Sequence, residues 1–139
     1  MTAGAGVGAQ PDEARMRSVA MGLSAARAGV GVLILLAPRV GAQIMGFPTA
    51  QDSPTARLAG RLFGVREVAL AGYTAAQVSR SVRQPDVYLL NAAVDVADLG
   101  VCTLTLLGRR GVGRAAFGSA LLAMPFAASF LWLRGSCQR

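Results

Sequence analysis

Three carboxylates lie inside long apolar segments of this 139-residue chain. Asp95 and Asp98 occur in the stretch NAAVDVADLGVC, and Glu67 occurs in TARLAGRLFGVREVALAGY. One charge at the centre of a bilayer costs at least about 2.5–3.5 kcal/mol on insertion scales, so such residues mark functional sites. Carboxylates in unequal surroundings acquire different pKa values and can act as an acid and a base. Asp95, Glu67 and Asp98 are therefore the predicted catalytic residues of a proton-transfer site.

The polar residues of the segment that contains the two aspartates share one helical edge. At 100° per residue, Asn91, Asp95, Asp98 and Cys102 fall within an arc of about 60°. The remaining positions are mainly Ala, Val and Leu. This edge is expected to face other helices, and Asn91 is predicted to contact a substrate.

Arginines are the expected partners of these carboxylates. Arg57 and Arg61 share a helical arc of about 120° with Glu67, and Arg27 lies on a small polar edge of the first apolar segment. Counting residues from the segment ends places Arg27, Glu67 and Asp95 at one depth. Arg27, Arg61 and Arg57 are predicted to neutralise the three carboxylates and to bind substrate.

Arg66 does not fit this arrangement. Its side chain is expected to point about 180° away from Arg57 on a helix. Two locations remain open for it: the membrane interface, reached by an extended side chain, or a contact between subunits.

The composition is that of a membrane protein. Hydrophobic residues make up 53% of the chain and charged residues 15%, against about 25% charged in soluble domains. All 14 basic residues are arginine, and there is no histidine. The missing histidine excludes His-dependent triads, His-ligated metals and imidazole proton shuttles. No metal site and no cofactor are predicted.

The net charge of +7 does not indicate nucleic-acid binding. Most arginines lie at the ends of apolar segments, where guanidinium groups meet lipid headgroups. The two cysteines, Cys102 and Cys137, show no metal-ligand spacing and are expected to be ordinary small residues.

Four apolar segments at 18–37, 55–79, 87–107 and 115–133 are separated by turn signals. We therefore predict an all-α, integral membrane four-helix bundle formed by one domain, 15–139, after a disordered lead-in, 1–14. A soluble bundle would need a polar face on every helix, and the last segment has none. Ser53 and Pro54 are expected to begin the second helix.

The first segment is expected to be retained as a span, because Arg27 interrupts its apolar run and Arg39 follows it closely. A small excess of arginines on one side favours an orientation with both termini inside. The predicted location is the cell (inner or plasma) membrane, with several crossings. The expected partners are the lipid bilayer and a lipophilic small molecule, and homo-oligomer formation is left open.

Several short motifs resemble those of a family of small four-span membrane proteins of unknown function, common in high-GC bacteria. In order, they are Arg27-x3-Gly31, LAP at 36–38, GFP at 46–48 and ARLAGR at 56–61, followed by the two aspartates of the third segment. The resemblance covers residues 20–110 and implies four spans but no activity.

Three functions are compatible with a buried Arg/Asp/Glu pocket. The favoured hypothesis is acid/base catalysis, by protonation, cyclisation or isomerisation, on an isoprenoid-like or quinone-like substrate, as in a membrane-embedded cyclase or isomerase. A non-catalytic structural or assembly role with buried ion pairs is the second. The third is a small proton-coupled transporter. The small multidrug exporters have a similar size, but they depend on a glutamate in the first span, where this chain has Arg27.

Overall fold

The computed structural model describes residues 9–108 and 113–139. These residues form α1 (Ala9–Leu36), α2 (Pro38–Ile44), a short 3-10 turn (Thr49–Gln51), α3 (Pro54–Arg80), α4 (Pro85–Leu107) and α5 (Gly113–Cys137). No strand occurs in these two ranges.

The helix boundaries follow local sequence signals. Ser53 caps α3 as predicted: its Oγ accepts a hydrogen bond from the backbone N–H of Ala56 at 3.1 Å, and Pro54 occupies the first helical turn. Proline also begins α2 and α4. The segment after α2 turns at Gly46, whose φ of +88° favours glycine.

Two helices extend beyond the predicted apolar segments. Residues 9–14 were expected to be disordered, yet α1 begins at Ala9, while residues 1–8 lie outside the described ranges. The last helix extends over 113–137 rather than 115–133, and it continues through Pro125. In both cases polar or small residues extend a helix beyond its apolar part, which hydropathy alone does not detect.

Helices α1 and α3 form an antiparallel pair with touching backbones. A Cβ atom built on Gly64 would lie 2.7 Å from the carbonyl oxygen of Gly31, and one built on Gly31 would lie 2.8 Å from that of Gly64. Near the other end of the pair, Arg17 Nη1 donates a hydrogen bond to the carbonyl of Val78 at 2.7 Å. Facing glycines thus allow close contact between the helices.

Helices α4 and α5 form a second antiparallel pair, and the two pairs meet in an apolar core near the start of α1. The rings of Tyr88 and Phe130 stack there with centroids 6.4 Å apart, and Tyr88 Oη donates to the carbonyl of Val82 at 2.6 Å. The buried core residues are Met16, Ala20, Val78, Val82, Tyr88, Ala92, Phe130 and Leu133. Toward α2, the space between the pairs opens into a cavity.

The prediction of a four-span membrane bundle is wrong. Among the described residues, three helical stretches are long and apolar enough to cross a membrane: Asp12–Leu36, Pro85–Leu107 and Gly113–Cys137. A long helix does form at the predicted second span, but α3 lacks the composition of a membrane span. Its charged residues are Arg57, Arg61, Arg66, Glu67 and Arg80. The N-terminal cap and the small residues favour a helix at this position. The charged residues, however, make its mean hydropathy too low for a membrane span.

Candidate functional site

Arg27 is the centre of a buried group of charges. Its residue surface is 1% exposed. Nη1 donates to Glu67 Oε2 at 3.0 Å, and Nη2 donates to the two carboxylate oxygens of Asp95 at 2.6 and 2.7 Å. The guanidinium carbon also lies 5.2 Å from the ring centroid of Phe126 and 5.5 Å from that of Phe130. One side chain of α1 therefore contacts α3, α4 and α5.

Arg66 is the second cation of the group. Its Nη1 and Nη2 donate to the two carboxylate oxygens of Asp98 at 3.1 and 2.5 Å. Its Nε and Nη2 also donate to Glu67 Oε1 at 3.1 and 2.9 Å. Glu67 therefore accepts hydrogen bonds from both arginines and links them. We call these five residues the ion cluster: Arg27, Arg66, Glu67, Asp95 and Asp98.

The predicted meeting of Arg27, Glu67 and Asp95 at one depth is confirmed by these contacts. The predicted charge balance is wrong, because Arg57 and Arg61 do not reach the carboxylates. Two guanidinium groups face three carboxylates, so the ion cluster carries a charge of −1 when every member is ionised.

Arg57 and Arg61 lie elsewhere. Arg57 donates to both oxygens of Asp52, at 2.7 and 2.8 Å, on the far side of the cavity. Arg61 is exposed on α3 and does not line the cavity. A helical arc shows which direction a side chain points, but it does not show which partner is within reach.

Arg66 is the member of the ion cluster that the shared helical arc does not identify. A guanidinium on a long side chain reaches around its own helix, so a position off the shared arc can still join the ion cluster. The available signal was its place in the sequence directly before Glu67, to which it forms a salt bridge of 2.9 Å.

Asn91 lies outside the cavity. Its Nδ2 donates to Thr74 Oγ1 at 2.8 Å and to the carbonyl of Val87 at 2.9 Å. The side chain is fully buried and ties α4 to α3, one helical turn before Asp95. This placement does not bring Asn91 to the position expected of a substrate contact.

A cavity of about 480 Å³ lies between the two helix pairs and ends on the ion cluster. Arg27, Glu67, Asp95 and Asp98 contribute to its lining at that end. Its apolar walls are formed by Val30, Ile34, Phe63, Val101, Leu122 and Phe126. Cavities of this kind, apolar with a few convergent polar groups, are typical of small-molecule sites.

The opposite end of the cavity is lined by a second set of charges. Asp52 joins α2 to α3 there, because Arg39 Nε donates to it at 2.8 Å and Arg57 donates to it from α3. The hydrogen bond from Arg57, and then that from Arg39, hold the pKa of the Asp52 carboxyl below its usual value of 3.8. We call Arg39, Asp52 and Arg57 the clamp.

The clamp predicts a specific pH dependence of stability. Because the pKa of Asp52 is lower in the folded state, its contribution is complete above the unfolded pKa and is lost as the pH falls through the folded pKa. Asp52→Asn should therefore lower the melting temperature by a constant amount above about pH 5, and the difference should shrink as the pH falls below about 4 and vanish only below the folded pKa of Asp52.

The measurement is thermal unfolding of the wild type and the variant over this pH range. Asp86→Asn, an exposed carboxylate in the first turn of α4, is the matched control. A difference between wild type and Asp52→Asn that grows as the pH falls would contradict the assignment.

Among the described residues, no group of three or more His, Cys, Asp or Glu side chains is arranged to hold a metal ion. No protein-family model matches the chain, no curated protein matches its sequence, and no solved structure matches its fold. The cavity and the charges that line it are therefore the features that bear on function.

Proposed function

We propose that this is a multi-pass protein of the cell membrane that binds a lipophilic molecule in the cavity and exchanges a proton with it at the ion cluster. One observation carries the proposal: the apolar walls end on a group of buried and half-buried charges with one more carboxylate than guanidinium. The favoured reaction class is acid/base catalysis, as in an isomerisation or cyclisation, on an isoprenoid-like or quinone-like substrate.

Three helices support the membrane location, because they combine sufficient length with apolar surfaces that protein does not cover. Leu104, Leu107, Phe117 and Leu121 expose between 62% and 75% of their surfaces on α4 and α5. Lipid chains are the environment that such side chains favour. A lipophilic molecule would then enter the cavity from the bilayer.

The charge of the ion cluster supports proton exchange. An uncompensated charge in a poorly solvated site is costly, and binding one proton would neutralise the group. Asp98 is the most accessible carboxylate of the cluster, since its side chain is 31% exposed whereas those of Asp95 and Glu67 are 6% and 8% exposed. We assign to Asp98 the exchange of the proton with the bound molecule. Glu67 and Asp95 share the remaining negative charge through their hydrogen bonds to the arginines.

The chemistry follows the usual pattern of general acid/base catalysis without histidine. The cluster donates its proton to a double bond or carbonyl of the substrate, and a proton leaves the substrate at another position and returns to the cluster. The apolar walls would hold the substrate and keep out water that could trap the intermediate.

A structural role is the second candidate, and Arg27 favours it. One guanidinium contacts three other helices, which is an arrangement that fixes helix positions whether or not a ligand binds. That role does not require the cavity.

Filling the cavity separates the two functions. Ala123 lines the cavity on α5, whereas Ala128 on the same helix is exposed, so Ala123→Phe is the test variant and Ala128→Phe is the matched control. With the full chain in lipid nanodiscs, we expect decanol to bind to the wild type and to Ala128→Phe, and to lose its saturable binding in Ala123→Phe. Ligand-observed NMR provides the measurement.

The catalytic step is tested by deuterium incorporation. The protein is incubated in D₂O with isoprenoid and quinone lipids, which are then analysed by mass spectrometry. We expect incorporation into one lipid, reduced about 100-fold or more in Asp98→Asn and unchanged in Asp86→Asn. If decanol binding is equal in Ala123→Phe and the control, and no lipid exchanges hydrogen, the structural role is the correct one.

A further inference from the structure

We infer that the cavity takes lipophilic molecules that carry a positive charge at the end that reaches the ion cluster. This inference rests on the proposed function and names its ligand class. The cation is either present on the molecule, as in an amine, or formed there when the cluster donates its proton to a neutral substrate.

The charges around the ion cluster are the first observation that supports a cationic ligand. Each of its two arginines is already shared between two carboxylates: Arg27 between Glu67 and Asp95, and Arg66 between Glu67 and Asp98. Cys102, which lines the cavity one helical turn beyond Asp98 on α4, carries no positive charge. Among the described side chains, no third cation reaches the group.

The remaining cavity arginines cannot supply that cation. Arg39 and Arg57 belong to the clamp at the opposite end, where Asp52 holds both of them. A bound proton or the charged end of a ligand can therefore complete the charge balance within the cavity.

The aromatic walls provide an independent second observation. Phe126 lines the cavity, and its ring lies 5.2 Å from the guanidinium carbon of Arg27, while the ring of Phe63, also in the lining, lies 4.7 Å from that of Arg66. The faces of aromatic rings attract cations, and more strongly where water is excluded. Both rings line the cavity beside the ion cluster, where each already contacts one of the cluster's guanidinium groups.

The two ends of the cavity determine the orientation of the ligand. The clamp has two arginines and one aspartate, a charge of +1, whereas the ion cluster carries −1 when ionised. A positively charged end is repelled from the clamp and attracted to the cluster. The molecule therefore binds with its charged end innermost and its apolar body along the walls.

Proton balance gives a measurable consequence. If the cluster holds one proton before binding, a permanent cation that enters compensates the negative charge of the cluster in place of that proton. The proton is then released to water. If a neutral substrate enters, the same proton moves onto the substrate, and the cation formed pairs with the ionised cluster. In both cases one proton leaves the cluster and one positive charge remains in the cavity.

The experiment compares probes that share one apolar body and differ in charge: decyltrimethylammonium, decanol and decanoate. Binding to the full chain in nanodiscs is measured by calorimetry, and binding to Ala123→Phe nanodiscs is subtracted as background. We expect the cation to bind at least about tenfold more tightly than decanol, with decanoate the weakest of the three.

Proton release is measured with the same cation in buffers of different ionisation enthalpy, from about pH 4 to about pH 9. We expect up to one proton released per cation bound. Asp98→Asn should abolish both the release and the preference for the cation, whereas Asp98→Glu, which keeps the charge, should retain the preference. Asp86→Asn should behave as the wild type.

The outcomes distinguish this inference from the proposed function. If decanol binds in the cavity as tightly as the cation, the inference is wrong and the lipophilic site remains. If the cation binds more tightly but no proton is released at any pH, the inference stands and the proton exchange of the proposed function is wrong. If none of the three probes binds above background, both are wrong. The comparison of probes on the wild-type protein decides the case even if Asp98→Asn fails to fold.

Discussion

Substituting Arg27 by leucine should destabilise the protein by about 3–5 kcal/mol, the usual effect of removing one partner from a buried ion pair. Arg27 is 1% exposed and donates to both Glu67 and Asp95, whose side chains are 8% and 6% exposed. Without the guanidinium, these carboxylates would retain a desolvated charge with less compensation. Chemical unfolding of the full chain in nanodiscs provides the measurement.

Two further variants identify the cause of this effect. Arg27→Leu combined with Glu67→Gln and Asp95→Asn should recover most of the stability, because the carboxylate charges that lost their partner are then removed. Arg61→Leu is the control, since this exposed arginine should change stability by less than about 0.5 kcal/mol. A loss in Arg27→Leu no larger than in the control would show that Arg27 does not hold the helices together.

Substituting Gly64 by alanine should cost about 1–3 kcal/mol, as for other overpacked sites. The new Cβ would lie 2.7 Å from the carbonyl oxygen of Gly31 and 2.9 Å from the backbone nitrogen of Leu35. Both atoms belong to the backbone of α1, so a side-chain rotation cannot relieve the contact and the helices must separate. The salt bridge of 3.0 Å between Arg27 and Glu67 would lengthen with them.

Gly72 on the same helix is the matched control. A Cβ built there meets nothing within 4 Å, and alanine favours a helix by up to about 1 kcal/mol over glycine. Gly72→Ala should therefore leave the free energy of unfolding unchanged or raise it. Equal effects of the two alanine substitutions would contradict the close contact between α1 and α3.

The sequence alone predicted the long helices and one part of the site. Ser53 and Pro54 begin α3 as expected, because a side-chain cap and a first-turn proline act locally. Arg27, Glu67 and Asp95 were placed at one depth by counting residues along antiparallel helices of fixed rise. The contacts of 2.6 to 3.0 Å among them confirm that count.

The sequence also located apolar segments of sufficient length, and three of the described helices retain that character. The prediction failed for α3. Its helical period and small residues are those of a membrane span, but its five charged residues are not. Helix formation depends on local caps and periodicity, whereas membrane character depends on summed hydropathy, and the two need not agree.

Only the tertiary structure decided which arginine completes the site. Arg57 and Arg66 are both long cations on α3, but Asp52 holds the first and Asp98 the second. This choice depends on distances between helices, which no periodicity encodes. It also determined that two arginines face three carboxylates, and with that the charge on which the proposed chemistry depends.

The cavity has the same origin. Touching glycines hold α1 against α3, stacked aromatic rings join α4 to α5, and the two pairs share an apolar core near the start of α1. The space left at the other end is set by the separation of the two pairs, a distance between segments far apart in the chain. Local sequence determines each helix and its polar edge, and the packing of one pair against the other determines what those edges enclose.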